Sequence, residues 1–428
     1  MENTTKPTPM KSPEVAVIGA GLAGLRCATL LHAQGLEVHV FERQEGVGGR
    51  VRTDLIDGFR LDRGFQVLQT AYPAAQRAFD YKALDLHCFP SGAFVFSEGH
   101  FYPFFDPLRH PDQLWGTLRS GLLQAKDLIA FLRLARQLET VDLEAQPQAE
   151  ANDSTALEAL QQLGFSEKFL QRFLKPFFSG VFLERALDTR AEKLFFVLKA
   201  FREGYAALPA QGMQALAEQL ARQLPPEHLH LNCAAVYVEP NGSVHLHNGA
   251  VVRPRYTVLA TDAAALSKLW PHHHFAMAWN CETTVYFATE QSAGDLPEVL
   301  LVEGKAESGP VATAAALHRI APSYAPKGAA LISANMPGLL LERETDAFAA
   351  ARLQLRRWFG KQVDRWRPLA CYPIRYALPA ELKGWRAPSP AIGQSVWLCG
   401  DYLGPASIQG ALWHAEQVAH KILDLHHF

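Results

Sequence analysis

Apolar positions first organise at Glu14-Val-Ala-Val-Ile18, a short β-branched run of the kind that forms a parallel strand buried on both faces. A glycine-rich turn follows at once, then a helical stretch with Leu25, Ala28, Thr29, Leu30 and Leu31 on its inner side. Gly35 ends that helix, and Glu37-Val-His-Val-Phe41 makes a second strand. Together they spell a strand–helix–strand unit of about 30 residues, enough for one right-handed crossover.

Downstream the texture changes. Between 76 and 200 the chain is aromatic (Phe89, Phe94, Phe96, Phe101, Tyr102, Phe104, Phe105) and then helical from about Leu114. A second helical block from Thr155 carries Phe165, Phe169, Phe173, Phe177 and Phe178, and most of these rings are expected in the core. Asp142 to Ser154, between the two blocks, is polar and acidic and reads as an exposed connection. From 205 to 263 the α/β pattern returns, with a helix over 216–224, a strand over 234–238, a hairpin turn at Asn241-Gly242 and strands at 251–252 and 257–260. From 281 to 384 short strands alternate with a helix near 346–358. A buried strand over 396–400 and a helix over 408–423 close the chain, and no repeat is visible.

With 428 residues the chain has room for two or three domains of roughly 150 residues each. Its 48% apolar and 20% charged residues exclude a disordered polymer. A net charge of −2 offers no bulk attraction for nucleic acid. Six scattered cysteines, with no CxxC and no metal-spaced cluster, fit a reducing compartment, so a cytoplasmic location is expected. Residues 1–13 are polar, lack the apolar core of a signal peptide and are expected to form a flexible tail. No run reaches 18 apolar residues.

The candidate chemistry starts at Gly19-Ala20-Gly21-Leu22-Ala23-Gly24. In a turn between strand and helix, the first glycine permits the bend, the second lets a pyrophosphate approach, and the third lets helix and strand pack closely. Helix N–H groups then face the phosphate charge. Glu42, at the tip of the second strand, is placed to accept both ribose hydroxyls of an adenosine. Arg43 and the segment Gly46-Val-Gly48-Gly49-Arg50 follow directly. A second glycine loop ending in a fixed cation suits the same pyrophosphate.

With Leu61-Asp62-Arg63-Gly64-Phe65, these segments resemble the start of the flavin amine oxidase and phytoene desaturase superfamily. The resemblance implies an α/β fold: a Rossmann-like FAD-binding domain of the GR2 type, interleaved with an α+β substrate domain in the amine oxidase manner. The FAD domain would be assembled from 14–75, 205–280 and 385–428, and the substrate domain from 76–204 and 281–384. FAD is the implied cofactor, with Arg50 near the phosphates and Gly64, Phe65, Gln66 and Val67 beside the isoalloxazine ring. Three later segments extend the match. They are Leu208-Pro-Ala-Gln-Gly-Met213, with Val236 beyond it where the family contacts adenine through backbone atoms; Ala260-Thr261-Asp262 at a strand end; and Gly400-Asp401 followed by Ser407-Ile408-Gln409-Gly410. By resemblance, Asp401 would hold the ribityl or pyrophosphate part. The last helix would point its N-terminus at the flavin N1–C2=O edge, with Gly410 letting the ring lie close.

The implied reaction is hydride transfer from a C–C or C–N unit of a mainly apolar or amine substrate to flavin N5. A redox-neutral isomerase or mutase, and a flavin-bearing binding protein without turnover, share the same anchors. One of the two aromatic residues that frame the flavin in amine oxidases falls at Ser407, which moves weight towards the desaturase branch. Tyr372, Tyr376, Gln66 and Arg375 are the pocket candidates, with Lys175 and Arg319 as further cations, and Cys371-Tyr372 raises covalent flavin attachment at Cys371. His272-His-His274 reads as a loop rather than a metal site. Without a second glycine fingerprint, the electron acceptor is expected to be dioxygen, a quinone or another diffusible molecule. The helix around 127–138 alternates Leu128, Ile129, Phe131, Leu132 and Leu134 with Lys126, Arg133 and Arg136. Core packing is preferred there over peripheral membrane contact.

Overall fold

The structure is a computed structural model that describes residues 12–145, 154–273, 275, 277–290, 296–304 and 309–426. The apolar runs at 15–18 and 38–41 pair in parallel, as their continuous hydrophobicity requires. Strands Leu229–His230, Tyr256–Leu259 and Val396–Leu398 complete a five-stranded parallel sheet, in the order 229–230, 38–41, 15–18, 256–259, 396–398. The helix Leu22–Ala33 buries Leu25, Ala28 and Leu31, and packs against the last helix, Ile408–His426. A three-stranded antiparallel sheet (235–238, 244–246, 251–252) adds its apolar side chains to the core on the other face.

A second, seven-stranded sheet runs in the order 367–379, 279–290, 329–337, 313–316, 300–303, 92–97, 100–105. The helix Glu344–Phe359 covers one face through Ala347, Ala351, Leu355 and Trp358, spaced at helical intervals. Its strands are longer than their sequence suggests: Trp279–Glu290 has 12 residues and Arg367–Pro379 has 13. The first is covered on both faces, so its apolar run shows no alternation. The second carries Pro368, Pro373 and Pro379, which an edge strand tolerates because one row of its N–H groups needs no partner. The aromatic stretch after residue 90 is a β-hairpin, 92–97 with 100–105. The phenylalanines of the helical block are core: Phe169, Phe178 and Phe182 are fully buried, and Phe104 meets Phe173 with ring centres 4.3 Å apart. Part of the connection at 142–154, residues 146–153, lies outside the described residues, as does His274.

The helix Ala125–Glu139 corrects its expected packing. It buries Asp127, Ala130, Leu134 and Leu138, while Leu128, Ile129 and Leu132 face outward, Leu132 being 69% exposed. Its buried stripe is capped by polar anchoring, since Asp127 accepts the Ser166 N–H at 2.6 Å and its hydroxyl at 2.8 Å. That leaves the i, i+1, i+4 apolar triple on the opposite face. The short helix Leu114–Arg119 repeats the arrangement with exposed Leu114, Trp115 (73%) and Leu118.

The hairpin 53–56/59–62 places Asp62 against Met213, Tyr324 and the strand 279–290 of the seven-stranded sheet. Its fully buried carboxylate accepts from the Thr53 hydroxyl (2.5 Å), the Met213 N–H (2.9 Å) and the Tyr324 hydroxyl (2.8 Å), and its carbonyl accepts from Tyr286 (2.8 Å). Burial pushes this carboxyl above its usual range in spite of the three donors. Asp62→Ala should strand those donors and cost on the order of 3 kcal/mol or more. Asp62→Asn, which keeps an acceptor, should cost less than half as much. Urea unfolding of the flavin-loaded proteins measures both.

Candidate active site

The carboxyl ends of the parallel strands gather the sequence-predicted residues. A Cβ on Gly24 would lie 2.0 Å from the Gly19 carbonyl oxygen, and one on Gly19 would lie 2.7 Å from that of Ala260, so tight packing demands both glycines. Gly21 differs: a Cβ there meets nothing within 4 Å, and the open space faces no protein atom. Ala23 sits in the first turn of the helix, where no acidic side chain competes for the N–H groups. Glu42 is buried and held by the N–H groups of Ala20 (2.8 Å) and Gln44 (2.9 Å). Arg43 is exposed just beyond it.

The second glycine loop folds onto the first, with Gly48 N–H donating to the Ala20 carbonyl at 2.9 Å and Gly49 abutting Gly21. Arg50 reaches 351 residues ahead to Asp401 at 2.5 Å, donates to the Ala377 carbonyl at 3.2 Å and stacks over Trp279 at 5.6 Å. Gln66 donates to the Arg50 carbonyl at 2.7 Å, and its own Oε1 is buried without a partner. Thr261, beside Gly19, likewise has a buried hydroxyl without a partner. Phe65 packs edge-on against Phe89 at 6.1 Å, and Val67 lies partly buried on the same core. Val236 is the extra residue of a β-bulge between Ala235 and Tyr237, so its backbone groups fall outside the ladder. Three residues earlier, Cys233 N–H donates to the Glu42 carbonyl at 2.8 Å.

The last helix opens at Ile408. Ser407 donates to the Pro405 carbonyl (2.9 Å) and accepts the Gly410 N–H (3.0 Å), so it caps the turn rather than lining a cage. A Cβ on Gly410 would lie 2.0 Å from the Pro405 carbonyl oxygen, so the turn itself requires glycine there. The Gln409 side chain turns away to Ala74 N–H (2.9 Å) and the Leu143 carbonyl (3.4 Å), leaving only its backbone at the helix start. Behind this turn lies an ion pair that sequence reading missed. Lys193 and Glu381, both buried, meet at 3.0 Å, Lys193 also donates to the Ala406 carbonyl, and Glu381 accepts the Ala406 N–H.

The pocket candidates separate. Tyr372 donates to Asp54 at 2.8 Å, beside the Asp54–Arg63 pair, and burial raises its phenol well above the ordinary value. Tyr376 packs edge-on against Trp279 at 5.6 Å and so joins the Arg50 stack. Arg375 is exposed and paired with Glu342 at 2.7 Å, and Arg319 is paired with Glu298 at 2.9 Å. Cys371, one residue before Tyr372, points through the sheet to the helix-covered core, and burial pushes its thiol up to about 11. That face is opposite the one carrying Ile374, which abuts Gly64, so attachment of the flavin there is not supported. Among the described residues no His, Cys, Asp and Glu group could hold a metal.

Glu282 is a third residue that sequence reading missed. It lies in the strand 279–290 opposite Ile374, is buried, and has one oxygen without a partner. A Cβ on Gly64 (φ +104°) would fall 2.8 Å from its other oxygen. Burial pushes the carboxyl up to about 7, against the Phe65 N–H and the Thr284 hydroxyl, which favour the charged form. A lone acid inside Cys281-Glu-Thr-Thr-Val-Tyr-Phe287 was the available signal.

The family profile described as flavin containing amine oxidoreductase matches residues 22–423. The chain belongs to that family. The glycine turn, the clamped Glu42 and the orphaned polar atoms of Thr261 and Gln66 fit FAD as the flavin. Among curated proteins it is 37% identical over 84 residues to a zeta-carotene-forming phytoene desaturase of Myxococcus xanthus (18% of this chain, 16% of the relative). It is 32% identical over 139 residues to a hydroxyneurosporene desaturase of Rubrivivax gelatinosus (30% and 26%). A carotenoid phi-ring synthase of Streptomyces griseus is 42% identical over 66 residues (14% and 13%), so the matches span only 13% to 26% of these relatives' lengths. The fold is similar to putrescine oxidase bound to putrescine (TM-score 0.71, 18% identity, 97% of this chain and 100% of that one). It is also similar to reduced UDP-galactopyranose mutase (TM-score 0.68, 15% identity, 97% and 96%).

Lys193→Met should leave the buried Glu381 carboxyl without its cation, at a cost of about 3–5 kcal/mol. Lys193→Met with Glu381→Leu should recover most of that loss. Denaturant unfolding of the single and double variants tests the pair.

Proposed function

We propose that this protein takes a hydride from a C–C or C–N unit of a mainly apolar substrate, in the desaturase manner more than the amine oxidase manner. When bound, FAD supplies N5 as the hydride acceptor. The convergence of the open Gly21 turn, the clamped Glu42 carboxylate and the Arg50–Asp401 pair on one sheet edge carries this reading. Glu42 would orient the adenosine ribose, the N–H groups of helix 22–33 the pyrophosphate, and Gly64 to Val67 the ring. Backbone atoms at Val236, the Ala260–Thr261 turn, and Gly400, Asp401, Ser407, Ile408 and Gln409 would complete the cradle. The FAD domain would comprise 14–75, 205–280 and 385–428, and the substrate domain 76–204 and 281–384. Ser407 as a capping serine, in place of an aromatic wall, favours a substrate larger than a simple amine. So do the desaturases among the relatives. Dioxygen, a quinone or another diffusible molecule would remove the electrons.

No helix among the described residues is long and apolar enough to cross a membrane. The outward apolar triples of helices 114–119 and 125–139 are instead proposed to rest on an anionic bilayer, from which an apolar substrate would enter. The exposed Arg119, Lys126, Arg133 and Arg136 beside them supply the matching charge. The six free cysteines suit the cytoplasmic side of such a membrane.

Acid precipitation of the purified yellow protein should release FAD into the supernatant, leaving Cys371 unmodified. Carotenoid-like polyenes should then bleach the bound flavin under anaerobic conditions. An oxidised spectrum untouched by panels of polyenes and amines would remove the reading. Gly21→Ala should fold with stability within about 0.5 kcal/mol of the parent, yet bind FAD about tenfold or more weakly. Gly24→Ala should fail at folding itself. Leu128→Glu with Leu132→Glu should lower co-sedimentation with phosphatidylglycerol vesicles severalfold while leaving flavin content unchanged.

A further inference from the structure

We propose that Glu282 is the proton-accepting residue of the reaction centre, its carboxyl set against Gly64 and Phe65 where the flavin ring lies. The assignment rests on the placement of Gly64 to Val67 beside that ring. Three observations carry it. The carboxyl touches the Cα side of Gly64, where any side chain would collide with Ile374 and with Glu282 itself. Its Oε2 is buried and has no protein partner, so one acceptor site of the carboxyl is unfilled. The neighbouring groups supply no counter-charge that would lock it as a carboxylate.

Those neighbours face it from each packed element. On its own strand, Thr284 is shared with Asn335 (3.2 Å), and the buried Tyr286 donates to the Asp62 carbonyl. Across the sheet stand Ile374 and Pro337, with Tyr372 turned to Asp54 and Arg375 turned out to Glu342. From the 64–66 loop come the Phe65 N–H and Gln66, while Arg63 is held by Asp54 at 2.9 and 2.8 Å. Such a carboxyl is poised near neutrality, pushed up to about 7 by burial, which suits a base that must both take and release a proton near pH 7.

The chemistry balances. Oxidation of a C–C or C–N unit to its double bond removes two hydrogens. One leaves with its electron pair to the flavin. The other leaves as a proton when the electrons of its bond become the new π bond, and it forms the O–H bond of neutral Glu282. Passing that proton on with the electrons to the diffusible acceptor, dioxygen or a quinone, restores the carboxylate.

The test needs no substrate. Visible absorbance of the oxidised holoprotein is followed from pH 5.5 to 8.5 for the parent, Glu282→Gln and Glu282→Asp. A one-proton change in the flavin bands centred near pH 7 is expected in the parent. It should vanish in Glu282→Gln, and its midpoint should move in Glu282→Asp. A flat parent spectrum, or the same titration persisting in Glu282→Gln, overturns the assignment while leaving the FAD site intact. If Glu282→Gln does not fold, the parent and Glu282→Asp curves decide it. A parent protein that neither carries nor takes up FAD overturns the cofactor placement and the assignment together.

Discussion

The buried carboxylate of Asp62 is the interaction on which the molecule's assembly depends. It ties the hairpin 53–62, the start of the helix after Met213, the turn at Tyr324 and, through Tyr286, the seven-stranded sheet. A charge withdrawn from water is tolerable only when its lone pairs are filled, so each donor must arrive in register. Because these donors come from residues 53, 213 and 324, the carboxylate enforces agreement among segments remote in sequence. The Gly64 turn follows two residues later, so its position relative to the strand of Glu282 is set by the same junction.

A buried charge pair fixes the other edge. Lys193 and Glu381 clasp the backbone of Ala406 immediately before the last helix, and Ser407 then caps it. Neither residue reaches the glycine turn. Their effect is to hold a helix N-terminus, whose dipole is useful only if its aim is fixed. The Arg50–Asp401 pair closes the gap between the two ends of the chain along this edge.

Strand alternation decides which residues of the seven-stranded sheet face the Gly64 turn. Cys371 and Tyr372 are adjacent in sequence yet lie on opposite faces. One enters the core under helix 344–359, and the other joins the Asp54–Arg63 cluster. Ile374 and Glu282 share the face that meets Gly64. The outward apolar rows on helices 114–119 and 125–139 come from the same kind of geometry, since the polar anchor of Asp127 to Ser166 selects which stripe is buried.

The sequence by itself determined the glycine-rich edge of the parallel sheet. Gly19, Gly21, Gly24, Glu42 and the Gly48-Gly49-Arg50 loop act through local backbone geometry, and spacing along a short strand–helix–strand unit expresses that geometry directly. The core role of Phe169 and Phe178 was legible for a similar reason, because bulk apolar rings have few other places to go. Tertiary structure alone decided the rest. The long edge strand 367–379 hides behind its prolines, and the orientation of Leu128, Ile129 and Leu132 depends on a partner 39 residues from Asp127. Gly410 answers to a carbonyl five residues earlier, which its spacing does not reveal. Glu282 and Lys193 owe their character to burial and to neighbours hundreds of residues away. A pKa or an ion pair is a property of surroundings, and one residue's identity does not carry them.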